Sequence, residues 1–187
     1  MRSVPQLVLL NGPPAAGKST LAARWVQGRE LGLDLDIDAI RNWLGAWPEP
    51  DSAWIAARKL AMAMARVHLS DGHDVIVPQF LMFDGYLLQL ELLAGEVGAE
   101  FVEVALIVRR EDMMDAFAQR SADPENQQHR DAQATVERLG GIDVLGEQYD
   151  RFMRLLDMRP DTRRVDVIRG DVDTTFARLA SAIAGRT

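Results

Sequence analysis

A buried strand that runs straight into a glycine-bounded loop is the feature that most restricts this chain. Gln6–Asn11 reads QLVLLN, a nearly unbroken apolar run, the pattern of a strand covered on both faces of a parallel sheet. It leads into Gly12-Pro13-Pro14-Ala15-Ala16-Gly17-Lys18-Ser19-Thr20. The first eight residues fit the phosphate-binding pattern G-x-x-x-x-G-K-[ST] without exception, and a helical pattern follows from Lys18 to Arg29. The chemistry accounts for the residue types. A triphosphate needs many hydrogen-bond donors at short range, and the backbone N–H groups of a tight loop supply them without side-chain bulk. The helix start adds the positive end of its dipole. Lys18 is expected to reach the β- and γ-phosphates, the Ser19 hydroxyl to ligate Mg²⁺, and Thr20 to make a further phosphate contact. Chance is a poor explanation: the chain's own residue frequencies give roughly one accidental match per thousand such chains. The sequence therefore predicts a nucleoside-triphosphate site over residues 12–20, with ATP and Mg²⁺ as its cofactors.

The remaining pattern suits that start. Short apolar runs at 33–37, 74–77, 101–108 and 165–168 alternate with helical stretches at 52–70, 84–97, 111–120 and 174–184, with further helices on either side of Gly140-Gly141. Strands alternating with helices predict an α/β fold, a parallel sheet covered on both faces. The 187 residues, 48% hydrophobic and 26% charged, match one domain spanning 1–187. A polar stretch with Asp123-Pro124 suggests a lid over about 120–132. Neither a targeting segment nor a membrane-length apolar run is evident, so a cytoplasmic protein is expected. The absence of cysteine excludes disulfides, zinc–thiolate sites and a thiol nucleophile. A net charge of −7 argues against nucleic-acid or membrane partners, a polynucleotide 5′-kinase included. Of the 21 basic residues only Lys18 and Lys59 are lysine, and one of them sits in the loop, where arginine's planar fork is no equivalent.

A second element follows the second strand. Asp36-Ile37-Asp38-Ala39-Ile40-Arg41 falls where ligands of open α/β sheets collect, outside the carboxyl ends of strands. Asp36 and Asp38 share one face of an extended segment, and Arg41 lies three residues beyond Asp38 on a helical face. A carboxylate here can take the proton of a hydroxyl attacking a γ-phosphate, and an arginine can hold a phosphate or substrate oxygen. Asp38 is the candidate base and substrate contact with Arg41; Asp36 is a candidate for the metal alongside Ser19. The plainer alternative makes Asp38 a helix N-cap with Arg41 as its surface partner.

The loop, the Asp36–Arg41 segment and the element order together resemble the small P-loop kinases, in particular the set that includes chloramphenicol phosphotransferase, the zeta-toxin kinases and small AAA-family ATPases. The resemblance implies a P-loop NTPase three-layer sandwich, with a five-stranded parallel sheet of order 2-3-1-4-5 and a small helical lid. It also implies transfer of a γ-phosphate to a small hydroxylated acceptor, with Asp38 as general base. Such proteins often carry an aspartate at the end of the third strand; this chain has Gln79 there, which can orient a water or a substrate group but brings no charge. A lid arginine is implied at Arg120, and Arg130, just past the polar stretch, is a second candidate to steady the transferring phosphate. Arginines at helix ends also serve simply to offset the dipole. The alternative function is a non-catalytic or weakly hydrolytic ATP- or GTP-binding regulatory module, which Gln79 keeps open. Trp43, Trp47, Trp54, Phe80, Met82 and Phe83 are candidates to wall an acceptor pocket. The turn Arg169–Asp173 resembles the place where such kinases receive the base, and its composition equally suits a plain strand-to-helix turn.

Overall fold

The structure is a computed structural model and describes residues 4–45, 50–122, 136 and 141–185. Strand and helix alternate along it: β1 (Gln6–Asn11), α1 (Lys18–Gln27), β2 (Leu33–Asp34), α2 (Ile37–Trp43), α3 (Pro50–Ser70), β3 (Val75–Gln79), α4 (Asp84–Val97), β4 (Glu100–Ile107), α5 (Arg110–Ala122), α6 (Ile142–Met158), β5 (Arg163–Asp166) and α7 (Val172–Ile183). The strands form one parallel sheet in the order β2-β3-β1-β4-β5, as the resemblance implied. The suggested lid lies mostly outside the described residues, apart from the end of α5.

Alternation along the strands splits the core in two. Leu7, Leu9, Val75 and Val77 face α2, α3 and α4, while Val8, Leu10, Ile76, Val102, Val104 and Leu106 face α1 and α7. Helix α3 meets the first layer through Ala53, Ala57, Ala61 and Ala65, all fully buried at four-residue spacing. Small side chains on that stripe let a 21-residue helix pack close to its neighbours. A smaller cluster forms on the first layer's side of the sheet, where Phe152 and Leu156 of α6 cover Ala105.

Two strand boundaries differ from expectation for identifiable reasons. β2 stops at Asp34, not residue 37, because the Asp36 carboxylate turns back to accept from the Asp38 N–H at 2.8 Å and the Ala39 N–H at 3.3 Å, capping α2. β3 runs past Pro78 to Gln79 even though proline removes a ladder donor. Leu33 and Leu35 N–H donate to the Asp74 and Ile76 carbonyls, so Asp74, Ile76 and Pro78 direct their backbone groups towards β2. By Pro78, β2 has already left the sheet. No ladder bond is lost, and Gln79, facing the other way, accepts from the Gly12 N–H at 3.2 Å.

The end of β1 is fastened to the β3–α4 connection by one side chain. Asn11, fully buried, donates from Nδ2 to the Leu81 carbonyl at 3.2 Å and accepts from the Leu81 N–H through Oδ1 at 2.9 Å. Its amide thus replaces a pair of ladder bonds where the strands diverge. Asn11→Ala leaves a buried N–H and C=O unpaired and is expected to destabilise the protein by about 3 kcal/mol; urea unfolding of variant and wild type measures it.

Candidate functional site

The phosphate-loop residues lie at the carboxyl end of β1 as the sequence predicts. Gly12 suits a close approach: a Cβ there would stand a tight 3.0 Å from Leu106 Cβ of the neighbouring strand. Ala15 and Gly17 both take left-handed backbone, with φ of +62° and +81°. Left-handed residues on either side of Ala16 curl the loop tightly, the kind of turn in which backbone N–H groups can form a concavity suited to an anion. The loop is braced by the Ala16 N–H donating to the Pro13 carbonyl at 3.3 Å, and the Lys18 ammonium donates to the same oxygen at 2.9 Å. Lys18 is thereby folded over the loop it is expected to serve. Ser19 and Thr20 are exposed at the start of α1.

That helix start is chemically distinctive. No side chain caps α1, and its first turn holds no acid. By contrast α2 and α7 are capped by Asp36 and Asp171. An uncapped N-terminus leaves its N–H donors and the positive dipole end to an outside anion. Beside it opens a cleft of about 570 Å³, within the range of small-molecule sites. Gly17 and Thr20 line one side, Arg109 and Met113 another, and Ile168 and Arg169 a third. The turn Arg169–Asp173 therefore shares a cleft with the loop, which composition alone left undecided. Arg169 also donates to the Gln119 side chain at 3.0 Å, tying that turn to α5.

The structure distributes the other candidates unevenly. Asp38 is half-buried in the first turn of α2, and Asp36, not Asp38, is the cap. Asp36 thus already spends one oxygen on two backbone donors, and among the described residues no group of three or more His, Asp or Glu could hold a metal. Arg41 is buried, its guanidinium 4.4 Å above the Trp54 ring, so it is no surface partner. Gln79 is buried at the end of β3, between β1 and the point where β2 departs. Arg109 is exposed and engages Asp112 at 2.6 and 3.0 Å, and Arg110 pairs with Asp150 at 3.6 Å. Arg120 falls within α5 with its side chain outside what is described; Arg130, His129 and Trp47 lie outside the described residues. Of the proposed acceptor wall, Phe80 and Met82 pack instead on the Phe152 cluster, whereas Trp43 and Phe83 stay exposed.

One acid escaped the sequence reading. Leu33 and Leu35 belong to the α2–α4 side of the sheet, so Asp34 turns to the α1 side with Asp36. There one carboxylate oxygen is buried without a hydrogen-bond partner. Desolvation, with the nearby Asp36 charge adding to it, pushes its pKa up to about 6. The period-two spacing of Asp34 with Asp36 was the available signal. Because the folded pKa exceeds the unfolded value of about 3.9, the folded state binds the extra proton between those values. Stability is therefore greater at low pH and falls as pH rises through about 6. Asp34→Asn removes this penalty: at pH 7.5 it is expected to be more stable than wild type by about 1 kcal/mol, after discounting for partial solvation. Denaturant unfolding should show the difference vanish near pH 3.5.

Comparison with known proteins agrees with this architecture. A gluconokinase from Sinorhizobium meliloti 1021 superposes with a TM-score of 0.60 at 17% identity, over 98% of this chain and 97% of its own. The tunicamycin resistance protein of Deinococcus radiodurans gives 0.63 at 14%, over 98% and 97%. The Mycobacterium tuberculosis APS kinase, solved with AMPPNP and APS, gives 0.57 at 17%, over 96% and 98%. At these identities the likeness is one of fold. No curated protein matches by sequence. The profile of the AAA domain family matches residues 7–139, most of the chain and the whole of the loop, β2–α2 and β3 apparatus, and the protein belongs to that family.

Proposed function

We propose that the chain is a Mg²⁺- and ATP-dependent phosphotransferase that moves a γ-phosphate to a hydroxyl of a small molecule. The observation that carries this reading is the left-handed loop at Ala15 and Gly17 feeding an uncapped α1, with Asp38 and buried Arg41 at the same edge of the sheet. Within the Gly12–Thr20 loop the backbone N–H groups from Ala15 onward would hold the triphosphate, with Lys18 swinging from the Pro13 carbonyl to the β- and γ-phosphates. The 570 Å³ cleft has room for the nucleoside. Mg²⁺, held through the Ser19 hydroxyl, supplies charge neutralisation when bound; Asp36 would reach it through its second oxygen. The kinase fold shared with the gluconokinase and the APS kinase supports the same class of reaction.

In the reaction, an acceptor hydroxyl oxygen forms the bond to the γ-phosphorus as the bond to the β-phosphate bridging oxygen breaks. ADP leaves and the hydroxyl proton passes to Asp38. Arg41 and Gln79 orient the acceptor, and Arg120 and Arg130 are assigned to the transferring phosphate. Positioning and fixed charge carry most of such catalysis.

A second reading, a nucleotide-binding module without transfer, draws support from Gln79 at the end of β3 and from the capping duty of Asp36. Steady-state transfer of labelled γ-phosphate separates the two. Under the kinase reading Lys18→Ala lowers kcat/KM on the order of 100-fold or more, and Asp38→Asn lowers kcat on the order of 100- to 10,000-fold with ATP binding kept. Full transfer by Asp38→Asn would remove the base assignment, and ATP binding without transfer in wild type would favour the module.

A further inference from the structure

Two side chains, one on α3 and one on α4, touch, and each holds a buried polar atom without a hydrogen-bond partner. Arg58 of α3 is half-buried, with its Nε shielded from solvent and lacking a hydrogen-bond partner. Its guanidinium lies 4.9 Å from the centre of the Tyr86 ring on α4. Tyr86 is only 5% exposed, and its hydroxyl also has no partner. Burial pushes the phenol well above its usual range, the nearby Arg58 charge offsetting only part of this, so the hydroxyl remains a neutral donor. Two other half-buried arginines meet carboxylates, Arg29 with Asp74 and Arg159 with Glu103 and Glu91, and a third, Arg163, donates to the Ala182 and Ile183 carbonyls. Among the described residues Arg58 has no ion pair. A buried donor left unmade is costly, and more so on a cation.

The fold puts this pair at the working edge of the sheet. The strands are parallel and α3 precedes β3, so the first half of α3 lies at their carboxyl ends, where Asp38 and Gln79 are. Arg41 stacks on Trp54, and Arg58 is one turn beyond Trp54, its neighbour on the helix surface. Tyr86 stands in the first turn of α4, just past the Leu81 segment that Asn11 clasps. Arg41, Arg58 and Tyr86 thus sit on elements that meet the carboxyl edge of the sheet where Asp38 stands, and both unmet groups are donors. An oxyanion is the chemistry that accepts from a guanidinium and a phenol together.

Resting on the phosphotransferase proposal, we infer that the acceptor carries an anionic group, carboxylate or phosphate, beside its hydroxyl, and that Arg58 and Tyr86 receive that group. They are specificity residues, acting on acceptor affinity and not on the reacting oxygen.

The test is calorimetric binding to the full chain, held with a non-hydrolysable ATP analogue, of matched pairs: gluconate and glucitol, glycerate and glycerol, glucose 6-phosphate and glucose. The expected result is that the anionic member of at least one pair binds ten-fold or more tightly than its neutral partner. The carboxylate and phosphate pairs tell the two anions apart. Arg58→Gln and Tyr86→Phe should each erase most of that preference, Arg58→Lys should keep part of it, and Lys59→Gln, exposed on the same helix, should keep all. Tyr86→Phe removes a single oxygen and guards against loss of fold. In transfer assays Arg58→Gln should raise the acceptor KM at least ten-fold with kcat little changed. No anionic member binding more tightly than its neutral partner, or a preference that survives both variants, overturns the inference. Preferential binding without transfer supports it and overturns the kinase reading instead; transfer with equal affinity for both members does the reverse.

Discussion

Everything at the candidate site depends on how closely β1 and β4 approach where the loop begins. A Cβ at Gly12 would press on Leu106, and the Gly12 N–H is spent on the Gln79 carbonyl of the strand on the other side. The chain is thus gripped between two strands at the residue where it must turn away. One position earlier, the Asn11 amide holds the Leu81 backbone. These contacts fix the loop, the end of β3 and the start of the β3–α4 connection as one rigid unit. Preorganised donors work only on such a base, since they must not need to move when charge develops opposite them.

The distribution of capping groups then divides labour among the helix starts. Aspartates occupy α2 and α7, so those ends are internally satisfied. α1 has left-handed Gly17 in place of a capping side chain and no acid in its first turn. Among the described helices α1 alone has no acid in its first turn, which on a protein of net charge −7 keeps its start locally positive. Two acids at the end of β2 and the start of α2 behave accordingly. Asp34 is driven towards its neutral form by burial and by Asp36, and Asp36 is held by two backbone donors.

The loop and the sheet were legible because both rest on local rules. A buried strand, glycine where the backbone approaches its neighbour, and lysine at the helix start are each dictated within a dozen residues. The AAA domain family match and the observed strand order agree with that reading. Boundaries at β2 and β3 were less legible. Whether Asp36 extends a strand or caps a helix depends on which backbone donors it meets, and whether Pro78 ends a strand depends on the neighbouring strand having already departed. Long-range placement was hidden altogether. Nothing near Arg41 announces the Trp54 ring beneath it, and nothing in Phe80 or Met82 says that α6, some seventy residues later, covers them. Nothing in the sequence sets Arg58 against Tyr86; the fold does, and leaves the Arg58 Nε and the Tyr86 hydroxyl without hydrogen-bond partners.

The central claim is that this preorganised opening transfers a phosphate and does not merely hold one. Phosphorus NMR of the wild-type chain with Mg·ATP and a hydroxylated acceptor tests it most directly. The account predicts that ADP appears together with one new phosphoester resonance, in equal amounts. Saturating ATP binding with the γ-phosphate resonance unchanged over many hours, or release of inorganic phosphate alone, would contradict it.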